Sequence, residues 1–164
     1  MKVLVTAATR HGSTAEIAAA IAGVLRRRGV DVDQIAPSDV HDITRYDAVV
    51  LGSAVYAGRW LKSATAFVSR WEQQLTQRPV WLFSSGPIGQ PPKPAELPVV
   101  AQIVCRTHAV EHRVLAGRLD KDGLGLLERT MVRAVRAPEG DYRDWLEINE
   151  WAAGIADDSV PAQG

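Results

Sequence analysis

The chain has 164 residues, 46% of them hydrophobic and 23% charged, and its 19 Lys and Arg balance 19 Asp and Glu. This length supports one domain that buries roughly 70% of its unfolded surface, and the composition excludes a disordered, collagen-like or disulfide-scaffold chain. Zero net charge provides no general field to draw nucleic acid or anionic lipid.

The elements follow in chain order. Val3–Ala7 is a short apolar run of the kind found in a strand covered on both faces. It is too short for a signal segment or a membrane span, so the chain reads as a cytoplasmic protein with at most peripheral contact at the inner face of the membrane. After a turn over Thr9–Thr14, Ile17, Ile21, Val24 and Leu25 recur at helical spacing. Ser13 with Glu16 three residues on predicts a capping box, and Arg26–Arg28 followed by Gly29 predicts the helix end. Val30–Ile35 alternates as a strand near a sheet edge, and Tyr46–Gly52 is a second buried strand.

Leu61–Leu75 predicts a helix with Ala64, Phe67, Val68, Trp71 and Leu75 on one face. Val80–Ser84 is a further buried strand, Gly86–Pro98 a Pro/Gly loop, Pro98–Thr107 a short helix and Val110–Gly117 the last strand. Leu124–Arg136 is a helix candidate with an apolar stripe of Leu124, Leu127, Met131 and Val135 and a basic stripe of Arg129, Arg133 and Arg136. Such a helix either meets a membrane surface, a quinone or a substrate carboxylate, or packs on the domain with its arginines in water. Asp144–Ala156 predicts a final helix with Trp145, Ile148, Ala152 and Ile155 inward. The domain is thus expected to cover residues 1–157, with a flexible tail over 158–164.

Strands alternating with helices predict an α/β domain: a doubly wound, five-stranded parallel sheet of order 2-1-3-4-5. Ligands in such sheets bind beyond the carboxyl ends of the strands where the winding reverses. Three loops are then candidates: Thr9–Thr14, Ser53–Trp60 and Ser84–Gly89. The first joins a strand to a helix N-terminus, carries three hydroxyls, and suits a phosphate monoester. In the second, Tyr56 and Trp60 bracket Gly58; an aromatic plane there stacks on a flat heterocycle, or the rings pack on the next helix. The third offers backbone amides for the polar edge of such a ring.

Other chemistries fit poorly. A phosphoacceptor domain needs carboxylates where Ala8-Thr9 and Gly52-Ser53 stand. No zinc motif, Walker A loop or nucleophile elbow occurs. His41, His108 and His112 are scattered and read as surface or hydrogen-bonded residues. Cys105, the single cysteine, fits a reducing compartment and reads as a small buried hydrophobe beside Ile103 and Val104.

Thr9-Arg10-His11-Gly12-Ser13-Thr14 resembles the phosphate loop of the flavodoxins, with His11 in place of the usual Thr. The resemblance implies an FMN-binding flavoprotein of flavodoxin-like fold. Thr9, Arg10, His11, Gly12, Ser13 and Thr14 would hold the phosphate. Ala54, Val55, Tyr56, Ala57 and Gly58, with Ser85, Gly86, Pro87, Ile88 and Gly89, would flank the isoalloxazine. More narrowly, Gly140-Asp141-Tyr142-Arg143-Asp144-Trp145, followed by Ile148 and Trp151-Ala152, is similar to the last-helix signature of the bacterial quinone-coupled protoporphyrinogen oxidases. That implies an oxidoreductase of heme biosynthesis, taking electrons from a small-molecule donor to a quinone or another acceptor; doubly wound flavin domains occur as monomers or homodimers. Arg59 and Arg118 are the candidate anchors for an anionic substrate, and no catalytic acid, base or metal ligand stands out. An electron-transfer carrier and a flavin-free interaction module remain the alternatives.

Overall fold

The computed structural model describes residues 1–86, 98–119 and 140–159. The first crossover runs β1 (Lys2–Ala8), α1 (Ser13–Arg27) and β2 (Asp31–Gln34), with a single 3-10 turn at Pro37–Asp39. Then follow β3 (Ala48–Tyr56), β4 (Arg59–Trp60), α2 (Lys62–Leu75) and β5 (Val80–Ser85). The remainder comprises α3 (Pro98–Thr107), β6 (Glu111–Leu115), β7 (Arg118–Leu119), β8 (Gly140–Asp141) and α4 (Trp145–Ser159).

The parallel strands lie in the order β2-β1-β3-β5-β6. Counting only these five gives the expected order 2-1-3-4-5; the small β4 shifts the labels and pairs antiparallel with β3. One core layer sits between the sheet and α1 and α4, where Val3, Val5, Val50 and Phe83 meet Ile17, Ile21, Leu25, Trp151 and Ile155. The other lies under α2 and α3, where Leu4, Leu51 and Leu82 meet Phe67, Val68, Val100 and Ile103. The alternation within each central strand sends side chains to opposite layers, which is why the runs read as continuously apolar. Tyr46 lies before β3 rather than in it, and its hydroxyl donates to Asp33 at 2.8 Å.

Helix α1 ends as its sequence indicates. The Val30 amide donates to Leu25 C=O and the Gly29 amide to Arg26 C=O, closing a Schellman turn. Its start differs. The N-cap is Gly12 with no side-chain cap, and the capping box does not form. Glu16 turns instead to arginines of the later chain, a long-range attraction that local spacing does not reveal. Trp145 opens α4 and is 39% exposed, while Trp151 takes the inward place at 5%. Cys105 is exposed, not buried: the inward residues of α3 are Val100, Ile103 and Thr107, and Cys105 lies two residues past Ile103, on the other side of the helix. α4 extends to Ser159. The predicted helix Leu124–Arg136 and residues 160–164 of the tail lie outside the described residues.

The centre of the sheet depends on one missing side chain. Gly52 of β3 pairs with Phe83 of β5, and a Cβ on Gly52 would stand 2.1 Å from Phe83 Cζ. The Phe83 ring occupies that space and meets Trp151 edge-on, with centroids 6.0 Å apart. Gly52→Ala is therefore expected to cost about 1–3 kcal/mol by overpacking. The urea midpoint should fall with the m-value unchanged, and Phe83→Leu in the same chain should recover part of the loss.

Candidate functional site

The carboxyl ends of β1, β3, β5 and β6 open on one edge of the sheet, and the predicted loops converge there. In the first, Thr9 Oγ1 accepts the Gly12 amide at 3.0 Å, and Gly12 C=O accepts the Glu16 amide at 3.0 Å. Gly12 has φ 89°, a left-handed conformation that turns the chain sharply from strand into helix. The first amides of α1 have no partners within the helix and carry the positive end of its dipole. Ser13 is half-buried and Thr14 is 2% exposed.

The second loop is shorter than its sequence suggests, because β3 runs on to Tyr56. Ala57 and Gly58, with φ of 49° and 73°, form a two-residue hairpin turn, and β4 returns with Arg59 opposite Tyr56. Trp60 does not stand at the mouth. It is 4% exposed, and its Nε1 donates to Ser84 Oγ at 2.8 Å. Ser84 Oγ also lies 2.8 Å from His112 Nε2, so a buried polar chain crosses from the hairpin to β6. Ser53 Oγ accepts the Leu61 amide at 2.9 Å and fixes the start of α2.

Tyr56 joins the first two loops. The Arg10 guanidinium lies 5.1 Å from its ring centroid and the His11 ring meets it edge-on at 6.1 Å. In the third loop Ser85 is buried, and the Gly86 amide donates to Leu115 C=O at 2.9 Å. Pro87, Ile88 and Gly89 lie outside the described residues. Ala54 and Val55 form the end of β3. Arg59 is exposed on the same hairpin face as Tyr56.

Arg118 is placed differently from a simple substrate anchor. Its amide donates to Ser13 Oγ at 3.3 Å and its guanidinium lies 3.8 Å from Glu16. Sequence reasoning also missed Glu16, Asp141 and Arg143 as parts of this edge. Strands β7 and β8 pair Arg118 with Asp141, and the Tyr142 amide donates to Gly117 C=O. The Arg143 side chain is 5% exposed; it bonds Asp141 at 2.7 Å, pairs with Glu16 and stacks on Trp145 at 4.6 Å. The Arg143 hydrogen bonds hold both the Asp141 and the Glu16 carboxyls below their ordinary values. Those two carboxylates in turn hold the Arg143 guanidinium further into its charged form. The Gly140–Trp145 motif was visible in sequence, but not the helix it grips.

The fold and this edge define a doubly wound α/β domain whose loops gather beyond its strand ends. The profile of the flavodoxin domain matches residues 4–145, and the chain belongs to that family. Protoporphyrinogen IX dehydrogenase (quinone) of Escherichia coli K12 is 25% identical over 175 aligned positions, covering 95% of each chain. Among solved structures, a flavodoxin from the domain Archaea superposes with TM-score 0.66 at 16% identity, over 96% of this chain and 98% of that one. Flavodoxin 1 from Bacillus cereus gives the same values. Rubredoxin oxygen:oxidoreductase from Desulfovibrio gigas matches 98% of this chain but 37% of its own, at TM-score 0.62 and 14% identity. These structures share the fold, and the family implies a flavin redox role.

The acid pair generates a pH prediction. The folded chain keeps Asp141 ionised below 3.8, where the unfolded chain is already protonated. That stabilisation is present above 3.8 and is lost as the pH falls further. Asp141→Asn should flatten the acid limb of stability as the pH falls through and below 3.8, read by urea unfolding at each pH. An unchanged slope would remove Asp141 from the account.

Proposed function

We propose that this protein is an FMN-dependent oxidoreductase, acting on a small organic donor with a quinone as acceptor. The observation that carries the reading is the open, hydroxyl-bearing N-terminus of α1 beside Tyr56. The residues present fit the cofactor sterically. Ideal Cβ positions on Gly12, Gly58 and Gly86, one from each loop, have nothing within 4 Å, so all three loops border open space. No carboxylate lies between Thr9 and Thr14 to oppose a phosphate.

In this reading Thr9, Arg10, His11, Gly12, Ser13 and Thr14 hold the phosphate by backbone amides, hydroxyls and the Arg10 cation. Ala54, Val55, Tyr56, Ala57 and Gly58 border one side of the flavin ring, and Ser85 and Gly86 the other. FMN, when bound, would supply the redox chemistry, with two electrons and two protons lost by the donor for each quinone reduced to quinol. The chain's own part is to bind, orient and shield. Arg59, exposed opposite Tyr56 on this rim, suits an anionic donor. Similarity to the protoporphyrinogen IX dehydrogenase (quinone) of Escherichia coli supports a porphyrinogen donor and a quinone acceptor. Among the described residues no helix is long and apolar enough to cross a membrane.

The test begins with the colour of the purified protein and the mass of what denaturation releases, expected to be FMN in about equimolar amount. Gly12→Val should abolish that binding, because a side chain would fill the turn and the left-handed backbone disfavours a β-branched residue. Ser13→Ala with Thr14→Ala should weaken it by about 1–3 kcal/mol per lost bond to the phosphate. Unchanged affinity in both would displace the phosphate from this turn. The holoprotein should then oxidise protoporphyrinogen IX only when a quinone is supplied. Flavin reduction without turnover would make the protein a carrier.

A further inference from the structure

We propose that Arg143 is a positioning residue for the flavin phosphate: it neutralises Glu16 and fixes the first turn of α1, so preference for phosphorylated over unphosphorylated flavin depends on it. This rests on the reading of the Thr9–Thr14 turn given above. Glu16 lies in the first turn of α1, and its side chain is 52% exposed. There a carboxylate draws on the same helix field that a phosphate would use, and an uncompensated one repels the phosphate.

The structure supplies the compensation from the far end of the chain. The Arg143 guanidinium pairs with Glu16 across 127 residues of sequence. Its direction is set elsewhere: Nε and Nη2 donate to the two Asp141 oxygens at 2.9 and 2.7 Å, and Trp145 lies 4.6 Å from its Cζ. A flexible surface ion pair stabilises little, but the Arg143 side chain is 5% exposed and held by these partners before it meets Glu16. The same ribbon grips the helix a second time through the Arg118 amide, which occupies a lone pair of Ser13 Oγ and leaves its O–H to donate outward. The charges of Glu16, Asp141, Arg118 and Arg143 balance. Removing Arg143 leaves one unmatched negative charge beside the turn, and removing Glu16 leaves one unmatched positive charge.

The experiment compares dissociation constants for FMN and riboflavin in the full-length apoprotein at low salt, read by quenching of flavin fluorescence. Arg143→Gln should raise the FMN constant about tenfold while leaving the riboflavin constant within about twofold. Glu16→Gln should tighten FMN about threefold without moving riboflavin, and the double variant should return close to wild type. Salt at about 0.5 M should compress these differences. Equal losses of both flavins in Arg143→Gln would show a purely structural role and overturn the proposal. Should Arg143→Gln fail to fold, exposed Glu16 decides: an unchanged ratio of FMN to riboflavin affinity in Glu16→Gln overturns it. A wild type that binds neither flavin overturns the reading of the site and this inference together, whereas one that binds FMN with a ratio insensitive to both substitutions overturns this inference alone.

Discussion

Strands β1, β3 and β5 run parallel and are buried on both faces, so their connections must leave from a common edge. Among the described residues, helices cover both layers of the sheet and leave that edge to the turns. Every turn there must satisfy its own backbone groups or present them to a ligand. The β1–α1 turn shows how the two duties combine. Gly12 begins the helix through its carbonyl and turns back on Thr9 through its amide, while the amides that follow have no partner within the helix.

The hairpin after β3 divides the duties differently. Trp60 looks in sequence like a partner for Tyr56 at the mouth, yet it is spent on the core and on Ser84. Tyr56 alone remains at the rim, supported from the first loop by Arg10 and His11. One aromatic of the hairpin anchors it and the other faces the open side. A two-residue turn keeps them at fixed separation.

Much of this architecture was legible because it rests on short-range periodicity. The apolar runs of β1, β3 and β5 and the helical stripes of α1 and α2 predict themselves, and the sheet order follows from their alternation. Misplacements arose where a distant partner overrides a local signal. Ser13 and Glu16 have capping-box spacing, but Arg118 and Arg143 draw them away from each other. Trp145 has the right spacing to face inward from α4, but it opens the helix and stacks against Arg143 instead. Tyr56 closes β3 and Arg59 begins a return strand because Ala57-Gly58 makes a tight turn, a signal weaker in sequence than Asn-Gly or Asp-Gly. Cys105 needed only a stricter reading of its helix face.

The absence of a side chain at Gly52 has a consequence for how this sequence drifts among its descendants. Position 52 can gain bulk only after position 83 has surrendered its ring, because the ring fills the space a Cβ would need. The reverse order passes through an overpacked intermediate. The two sites are therefore expected to vary as a linked pair among related chains, with the path between their states running through the pair that lacks both the ring and the Cβ.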